Sequence, residues 1–206
     1  MSESAAPPPH WDERYAVPGW AFGTEPNDFL REHGGRIPES GRVLTLAEGE
    51  GRNAVWLAQL GFDVTGIDVS SVGLAKAEGL ALERGVRITT VVADLEHHVL
   101  GESAWDGIVS IFAHVPPEVR RPLHRRVVQA LRPGGVLLLE AYTPSQLDHG
   151  TGGPGDSGKL MTLDGLRIEL EGLSFELAQE IEREVLEGRY HTGRSSVVQV
   201  VARRER

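Results

Sequence analysis

The sequence predicts an α/β domain built on a doubly wound, mostly parallel sheet of seven strands that closes with a C-terminal antiparallel hairpin. Between residues 42 and 141, short apolar runs alternate with amphipathic stretches, as strands joined by helices do. After residue 141 this alternation stops and two β-rich runs follow. With 206 residues the chain is long enough for one such domain and too short for two, so residues 1–206 are predicted to form a single domain.

Residues 1–25 precede the alternation and differ from it in composition. Residues 1–9 are a small, proline-rich tail, and the segment that follows contains the aromatic residues Trp11, Tyr15, Trp20 and Phe22. The core of the domain is predicted over residues 26–203. Within it, Asn27 lies at the start of a short amphipathic helix that should end near Gly34.

The first two strands flank a helix. Residues 43–47 are a short apolar run, which is typical of a buried parallel strand. A helix is predicted over residues 53–60, where Gly61 provides the C-terminal cap. Residues 63–68 form the second strand.

The same strand–helix unit then repeats. Ser70 caps a helix that runs to Gly85, and residues 86–93 form the third strand. The fourth strand, the next helix and the fifth strand are predicted over residues 105–112, 117–131 and 135–141. Strands and helices in this order imply a parallel sheet.

The C-terminal part departs from this rhythm. Residues 175–185 alternate between apolar and mostly acidic side chains, and residues 195–202 form a second β-rich run. Joined through residues 188–193, the two runs predict an antiparallel hairpin at one edge of the sheet. Residues 143–157 contain a cluster of glycines that is interpreted either as a flexible loop or as a lid.

Composition excludes several classes of protein and site. The chain is 40% hydrophobic and 25% charged, and no run of about 18 apolar residues suggests a membrane span. The absence of cysteine excludes disulfides, thiolate metal ligands and a cysteine nucleophile. A formal net charge of −9 disfavours nucleic acid as a partner. Residues 1–9 do not resemble a secretion signal, so a cytoplasmic location is expected.

A glycine-containing loop follows the first strand. Residues 47–53 read Ala-Glu-Gly-Glu-Gly-Arg-Asn and lead directly into a helix. In doubly wound sheets ligands bind at the carboxyl ends of the strands, and glycines there allow the backbone to approach them closely. Gly49, Gly51 and Ala54 also satisfy the fingerprint of dinucleotide sites. Asp68, at the end of the second strand, fits the acid that holds a ribose, which predicts an adenosine-type ligand of either class.

Charge favours one of these ligand classes. A pyrophosphate needs bare amides at a helix N-terminus, and the carboxylates of Glu48 and Glu50 would repel it. S-adenosylmethionine instead presents a sulfonium and an ammonium group, which acids attract. A nicotinamide enzyme also usually has a further substrate domain. An NAD(P)- or FAD-dependent oxidoreductase remains one alternative, and a non-catalytic protein that binds S-adenosylmethionine remains another.

A third acid lies after the third strand. Asp94 would sit near the adenine as an acceptor for its exocyclic amine, while Leu95 covers the ring. The alternative is that Asp94 caps the next helix, just as Asp68 could cap the helix after Ser70.

Together these motifs resemble those of class I S-adenosylmethionine-dependent methyltransferases, which have a Rossmann-like fold. Residues 48–53 resemble the family's first motif, Asp68 its ribose acid and Asp94 its adenine-site acid. The Leu-Arg-Pro-Gly-Gly stretch at residues 131–135 is similar to the entry of the family's fifth strand. The final hairpin matches its reversed seventh strand. The resemblance covers residues 26–203.

Within that family the sequence resembles the small bacterial branch related to tellurite-resistance and thiopurine methyltransferases. In that branch an aromatic segment before the first strand folds over the cofactor. The resemblance therefore implies methylation of a small molecule by S-adenosylmethionine, with S-adenosylhomocysteine as product. The implied cofactor-binding residues are Tyr15, Trp20, Phe22, Gly23, Ala47, Glu48, Gly49, Gly51, Arg52, Asn53, Asp68, Val69, Ser70, Asp94, Leu95, Ser110 and Phe112.

Catalysis of methyl transfer requires few side chains, because the enzyme's main task is to position and desolvate a nucleophile. A thiolate or another soft chalcogen nucleophile needs no general base, whereas an alcohol or amine can need one. His114, after the fourth strand, and Tyr142, after the fifth, are predicted as catalytic residues. His114 could alternatively cap the helix that begins near Pro117.

Substrate contacts are predicted from two loops. Tyr190, His191 and Arg194 lie in the hairpin connection and His149 in the glycine cluster, where they could face the substrate; a solvated turn is the alternative. No metal site is expected, because the neighbouring His97 and His98 do not share a helix face. The arginines at 120, 121, 125 and 126 are interpreted as a solvated helix face. The oligomeric state is not predicted.

Overall fold

The computed structural model describes residues 10–205, so the proline-rich tail at residues 1–9 lies outside the described residues. The strands are β1 (Arg42–Leu46), β2 (Asp63–Asp68), β3 (Thr89–Val92), β4 (Trp105–Ile111), β5 (Leu131–Tyr142), β6 (Leu173–Glu187) and β7 (His191–Arg204). The helices are α1 (His10–Tyr15), α2 (Asp28–His33), α3 (Arg52–Gln59), α4 (Ser71–Glu83), α5 (Pro117–Ala130) and α6 (Leu163–Glu169). Short 3-10 turns cover Gly34–Arg36, Pro144–Asp148 and Ser157–Lys159.

Within the described residues, seven strands form one sheet in the order β3-β2-β1-β4-β5-β7-β6. β1 to β5 pair in parallel, and β7 is antiparallel to both β5 and β6. The predicted fold is therefore confirmed. Because the carboxyl ends of β1 to β5 share one edge of the sheet, the loops that follow them come together there, beside the start of β7.

The sheet is buried on both faces, which explains its continuous apolar runs. Along β5, Val136 and Leu138 belong to one core cluster with residues of α2 and α3, while Leu137 and Leu139 belong to another with residues of α5. All four are at most 1% exposed. Side chains alternate between faces along a strand, so both faces need apolar residues when helices cover both.

The ends of several strands differ from the prediction, because hydrogen-bonded pairing with a neighbouring strand sets them and the apolar pattern of the sequence does not. β3 is shorter than predicted because only residues 89–92 pair with β2. β5 is longer, since Leu131 already pairs with Trp105 and the Pro-Gly turn is accommodated as an irregularity before Val136. The hairpin connection is residues 188–190, shorter than predicted, because His191 pairs with Glu187.

Two helices were not predicted. α1 and α6 are six and seven residues long, too short for a clear helical period. α6 nevertheless carries a local signal, since the side chain of Thr162 accepts a hydrogen bond from the Gly165 amide as an N-cap.

The arginines of α5 are only partly a solvated face. Arg121 and Arg125 are exposed. Arg120 is buried and donates two hydrogen bonds to the Glu169 carboxylate at 3.0 and 3.1 Å, so its assignment to the solvated face was wrong. None of the described helices has the length and apolar character needed to traverse a bilayer. The cytoplasmic location stays a prediction.

Candidate functional site

A cavity of about 560 Å³ lies at the shared edge of the sheet. One wall is formed by the loops after β1, β2 and β3, and another by the residues after β4, the glycine cluster and the start of β7. α1 and the segment around Phe22 cover it. Its volume falls in the range of small-molecule sites, roughly 300 to 1,000 Å³.

The loop between β1 and α3 is held by Asp68. Gly49 and Gly51 have φ of 63° and 94°, which favours glycine. The Gly49 amide donates to Asp68 Oδ2 at 2.8 Å, and the Ser70 amide donates to Oδ1 at 2.8 Å. One buried carboxylate therefore fixes the backbone after both β1 and β2, and burial raises its pKa.

The loop's two glutamates have different partners. Glu48 lines the cavity, accepts a hydrogen bond from the Ala54 amide at 2.9 Å, and has its pKa raised to about 7 by burial. Glu50 accepts from the Ala21 amide at 2.7 Å and is paired with Lys76. The charge of Glu50 is thus compensated inside the protein, and its carboxylate anchors the covering segment.

Arg52 offers the cavity an unused donor. Its side chain is buried and its Nη2 donates to Glu187 Oε2 at 2.5 Å. Its Nη1 is buried without a hydrogen-bond partner among residues 10–205. An unpaired guanidinium N–H is costly to bury, so a carboxylate ligand would satisfy it. Asn53, the next residue, also lines the cavity and accepts from the Asn27 amide at 3.0 Å.

A buried polar network beside the cavity joins the hairpin to the sheet. Glu140 is fully buried and accepts hydrogen bonds from Arg183 Nε and Nη2, at 2.8 and 2.6 Å. Asn27 Nδ2 donates to Glu140 at 2.6 Å and to Glu187 at 2.8 Å, and Gln199 donates to Glu140 at 2.7 Å. The network fixes the start of α2, β5 and both hairpin strands against one another.

Asp94 lines the cavity together with Leu95 and Val69. Its Oδ1 also accepts a hydrogen bond from the Glu96 amide at 2.8 Å. This contact holds a turn at residues 95–97, and no helix begins there, so the alternative that Asp94 caps the next helix is wrong.

His114 lines the cavity but has no free ring nitrogen. The Tyr142 amide donates to Nε2 at 3.2 Å, so Nδ1 carries the proton and donates to the Lys159 carbonyl at 3.0 Å. Burial lowers the pKa of His114 to about 4. The prediction of His114 as a catalytic base is contradicted, because backbone groups occupy both nitrogens.

Tyr142 lies behind the cavity wall. It is fully buried, and its ring stacks on Phe112 and His114 with centroids 4.5 and 5.6 Å apart. A Cβ on Gly153 would lie 2.7 Å from the Tyr142 ring, so the glycine cluster packs directly over it. Burial raises the pKa of the Tyr142 hydroxyl. The Tyr142 side chain therefore does not line the cavity, which weighs against its predicted catalytic role.

A second histidine, His191 at the start of β7, lies beside Phe112 and Phe22. It lines the cavity, 7% exposed, with its ring centroid 4.6 Å from that of Phe112 and 4.7 Å from that of Phe22. Its Nδ1 is 3.6 Å from Glu187 Oε2. Burial lowers the pKa of His191, and Glu187 opposes that effect. Within residues 10–205 its Nδ1 is buried without a hydrogen-bond partner and Nε2 makes no hydrogen bond either, so the ring has a nitrogen left for a ligand.

Glu187 behind His191 stays ionised. Burial alone would raise its pKa, but the Arg52 guanidinium and His191 lower it to about 2. Glu187 is therefore a fixed negative charge beside the imidazole, at an ion-pair distance of 3.6 Å and without a hydrogen bond to Nδ1.

Several predicted site residues lie away from the cavity. Arg194 donates to Glu182 at 2.7 Å with its side chain 68% exposed, and His149 is 3.8 Å from the same glutamate. Trp20 lies over the Lys76 ammonium at 5.2 Å. These three predictions are corrected, because the partners of each side chain lie elsewhere.

Four further predicted residues support the site from behind. Gly51 packs against Ala77, and Gly49 against the Tyr15 hydroxyl. Ser70 caps α4 through the Gly73 amide at 3.0 Å, and Ser110 is buried in β4. The predicted residues that do line the cavity are Tyr15, Phe22, Gly23, Ala47, Glu48, Arg52, Asn53, Asp68, Val69, Asp94, Leu95, Phe112, His114, Tyr190 and His191.

Two charged residues of the cavity lining, Arg14 and Lys159, were not predicted from the sequence. Arg14 lies between the rings of Trp11 and Tyr190, at 4.8 and 4.6 Å, and Lys159 lines the opposite wall. Lys159 is one of two lysines in the chain, and the other is Lys76. Among residues 10–205 no group of three or more His, Asp or Glu could hold a metal ion, and the prediction of no metal site stays a prediction.

Gly188 lets the hairpin connection pack against the covering segment. The Arg189 amide donates to the Ala21 carbonyl at 2.8 Å. Gly188 has φ of 71°, and a Cβ there would lie 2.4 Å from the Ala21 oxygen and 2.5 Å from Phe22 Cα. We therefore expect Gly188→Ala to displace the segment and to expose Phe22.

This prediction can be checked by limited proteolysis and by cofactor-analogue affinity, which should weaken by at least about tenfold. The matched control is Gly85→Ala, since Gly85 has φ of 70° but nothing within 4 Å of the added Cβ. Equal behaviour of the two variants would mean that backbone strain alone accounts for the effect.

Residues 43–135 match a family model described as a methyltransferase domain. The 2-heptyl-1-hydroxyquinolin-4(1H)-one methyltransferase of Mycobacteroides abscessus is 27% identical over 143 residues, which are 68% of this chain and 62% of that protein. The glycine/sarcosine N-methyltransferase of Halorhodospira halochloris is 34% identical over 148 residues, 68% of this chain and 51% of that protein. The chain thus spans between half and two thirds of these relatives' length.

Among solved structures, TehB from Haemophilus influenzae superposes with a TM-score of 0.69 at 21% identity, over 86% of this chain and 62% of that one. At this identity the likeness concerns the fold. It agrees with the order of strands and with the reversed β7 described above.

Proposed function

We propose that this chain, which contains a methyltransferase domain and has the fold of class I S-adenosylmethionine-dependent methyltransferases of the TehB-like kind, is an enzyme that methylates a small molecule. One observation carries the proposal. Glu48, Asp68 and Asp94, which follow or end three neighbouring parallel strands, all line one cavity. A row of carboxylates suits a cationic adenosine derivative.

The glycine loop is a poor site for a diphosphate. The amide of Gly49, which a pyrophosphate would need, already donates to Asp68. Glu48 adds a carboxylate at the same place. Both features weigh against the oxidoreductase alternative, and the methyltransferase-domain match of residues 43–135 weighs in the same direction.

Each part of S-adenosylmethionine has a complementary group in this chain. Arg52 Nη1 would hold its carboxylate, Glu48 its ammonium, and Asp68 its ribose. Asp94 and Leu95 would contact the adenine. When bound, the cofactor supplies an electrophilic methyl group on a sulfonium.

Residues of this chain position the acceptor and exclude water from it. Phe22 and Phe112 close the cavity around His191, with ring centroids less than 5 Å from the imidazole, so few waters compete for the nucleophile. As the acceptor atom bonds to the methyl group, it loses a proton if it carries one. His191 Nε2 is the group we propose to take that proton, because the Glu187 carboxylate, 3.6 Å from Nδ1, stabilises the imidazolium.

Two titrations test the proposal. Calorimetry should detect binding of S-adenosylhomocysteine and none of NAD. Incubation with S-adenosylmethionine and a panel of thiols, selenite, tellurite, phenols and small amines should then release S-adenosylhomocysteine with at least one acceptor. Tight NAD binding would favour the oxidoreductase, and cofactor binding without release would favour a non-catalytic binding protein.

Asp68→Ala should weaken S-adenosylhomocysteine binding by about 1.5 to 3 kcal/mol, or roughly 10- to 150-fold, since hydrogen bonds to a charged acceptor are lost. Calorimetry on variants with verified thermal unfolding measures this. Asp63→Ala is the matched control, because Asp63 begins the same strand at the far edge with its side chain 70% exposed. An unchanged dissociation constant in a folded Asp68→Ala protein would remove Asp68 from the site.

A further inference from the structure

Charge is distributed unevenly along the cavity. The residues after β3, β2 and β1 contribute Asp94, Asp68 and Glu48. On the other side of β1 in the sheet, the residues after β4 and β5 contribute His114 and Lys159. The acids therefore lie at the proposed cofactor end, and a cation lies at the end left for the acceptor.

Lys159 is held in place through its backbone. His114 Nδ1 donates to the Lys159 carbonyl at 3.0 Å. Arg120 Nη1 donates to the carbonyls of the two neighbours, Gly158 and Leu160, at 3.2 and 3.4 Å. The side chains of His114 and Arg120 thus fix three successive carbonyls, so the Lys159 side chain starts from a defined point in the cavity wall.

The Lys159 ammonium has no carboxylate partner within residues 10–205. The other lysine, Lys76, is paired with Glu50, and the cavity arginine Arg52 is paired with Glu187. Arg120, which also lies near the segment, is paired with Glu169. Lys159 is consequently a cation of the cavity lining without a compensating charge.

The same end of the cavity is lined by rings. Phe22 lies 4.7 Å from His191 and 5.8 Å from Tyr190 between centroids, and Phe112 lies 4.6 Å from His191. Such rings favour stacked or edge-on contacts with another planar ring. An acceptor that fits both features has a flat apolar body and a negative group.

We propose that the acceptor is an aromatic acid whose carboxylate, or an equivalent anionic group, is bound by Lys159 while its ring packs among Phe22, Phe112, Tyr190 and His191. This rests on the proposed function, because it assigns the acceptor end of that site. Lys159 is then the residue that selects anionic over neutral acceptors of the same shape.

The test compares 4-hydroxybenzoate with its neutral analogue 4-hydroxybenzamide. Calorimetry first establishes S-adenosylhomocysteine binding, and the two probes are then titrated into protein saturated with it, so that no turnover is needed. Wild-type protein should bind the benzoate roughly tenfold or more tightly than the benzamide. Lys159→Met should abolish this preference by weakening only benzoate binding, and Lys159→Arg should retain it.

Each other outcome overturns the proposal. Equal binding of the probes to wild-type protein, or binding of neither, refutes the aromatic-acid assignment. A preference that survives in Lys159→Met but disappears in Arg14→Met would assign selection to the cation between Trp11 and Tyr190 instead. Failure to bind S-adenosylhomocysteine would instead be a failure of the proposed function, and this inference would fall with it.

Discussion

Arg183→Met is expected to lower the free energy of unfolding by about 3 to 5 kcal/mol, as removal of one partner of a buried ion pair does. Glu140 is 0% exposed, and Arg183 provides two of its hydrogen bonds, at 2.8 and 2.6 Å. Without the guanidinium, Asn27 and Gln199 remain as donors but the charge has no counter-ion. Because Glu140 is buried, the desolvation cost of its charge is then no longer offset.

Chemical denaturation followed by circular dichroism measures the change. The matched control is Arg194→Met, on the other strand of the same hairpin, whose pair with Glu182 is exposed on both sides. Exposed pairs contribute at most about 1 kcal/mol. The double variant Arg183→Met/Glu140→Gln should recover part of the loss, because it removes the buried charge. Similar losses in Arg183→Met and Arg194→Met would refute this account of the network.

The parallel part of the sheet could be predicted from the sequence, because strands that are buried on both faces have continuous runs of apolar residues. Val136 to Leu139 are apolar at every position since alternate side chains face different helices. The glycine loop and the role of Asp68 beside it could also be predicted from the sequence. Their signals are local, since glycines at positive φ and an acid at a strand end depend on few distant contacts.

The catalytic assignments depend on contacts that local patterns do not contain. His114 was expected to face the cavity, and it does, but its ring nitrogens are taken by Tyr142 and by Lys159, 28 and 45 residues away in sequence. The network beside His191 joins Asn27 to Glu187 across 160 residues. Spacing in one sequence cannot show which of several polar residues will meet in such a network.

The charge of the glycine loop depends on a tertiary contact that the sequence does not show. Both loop glutamates were taken as charges toward the ligand, but Lys76 compensates Glu50, which leaves Glu48 for the ligand. The inference of a cationic ligand consequently rests on Glu48, Asp68 and Asp94 and no longer on Glu50. A count of the acids in a motif overestimates the negative charge of the site when a lysine that is distant in sequence forms an ion pair with one of them.

His191→Gln is expected to lower kcat by about 10²- to 10⁴-fold for an acceptor that must lose a proton, which is the usual contribution of a general base. A suitable pair of acceptors is 4-hydroxybenzoate, whose phenol needs a base, and 4-mercaptobenzoate, whose thiolate does not. For the thiolate the loss should stay below about tenfold, because glutamine still fills the space between Phe22 and Phe112.

The pH dependence gives an independent measure of the same role. Burial lowers the pKa of His191 below its usual 6.5, so the basic form is present at neutral pH and is lost as the pH falls through that lowered value. The wild-type rate with the phenol should therefore fall on the acidic side and be level near pH 7. In His191→Gln this fall of the rate at low pH should vanish. The control His97→Gln, which changes an exposed histidine, should keep it. If His191→Gln slowed the phenol and the thiolate equally and kept the fall at low pH, His191 would shape the cavity without taking the proton.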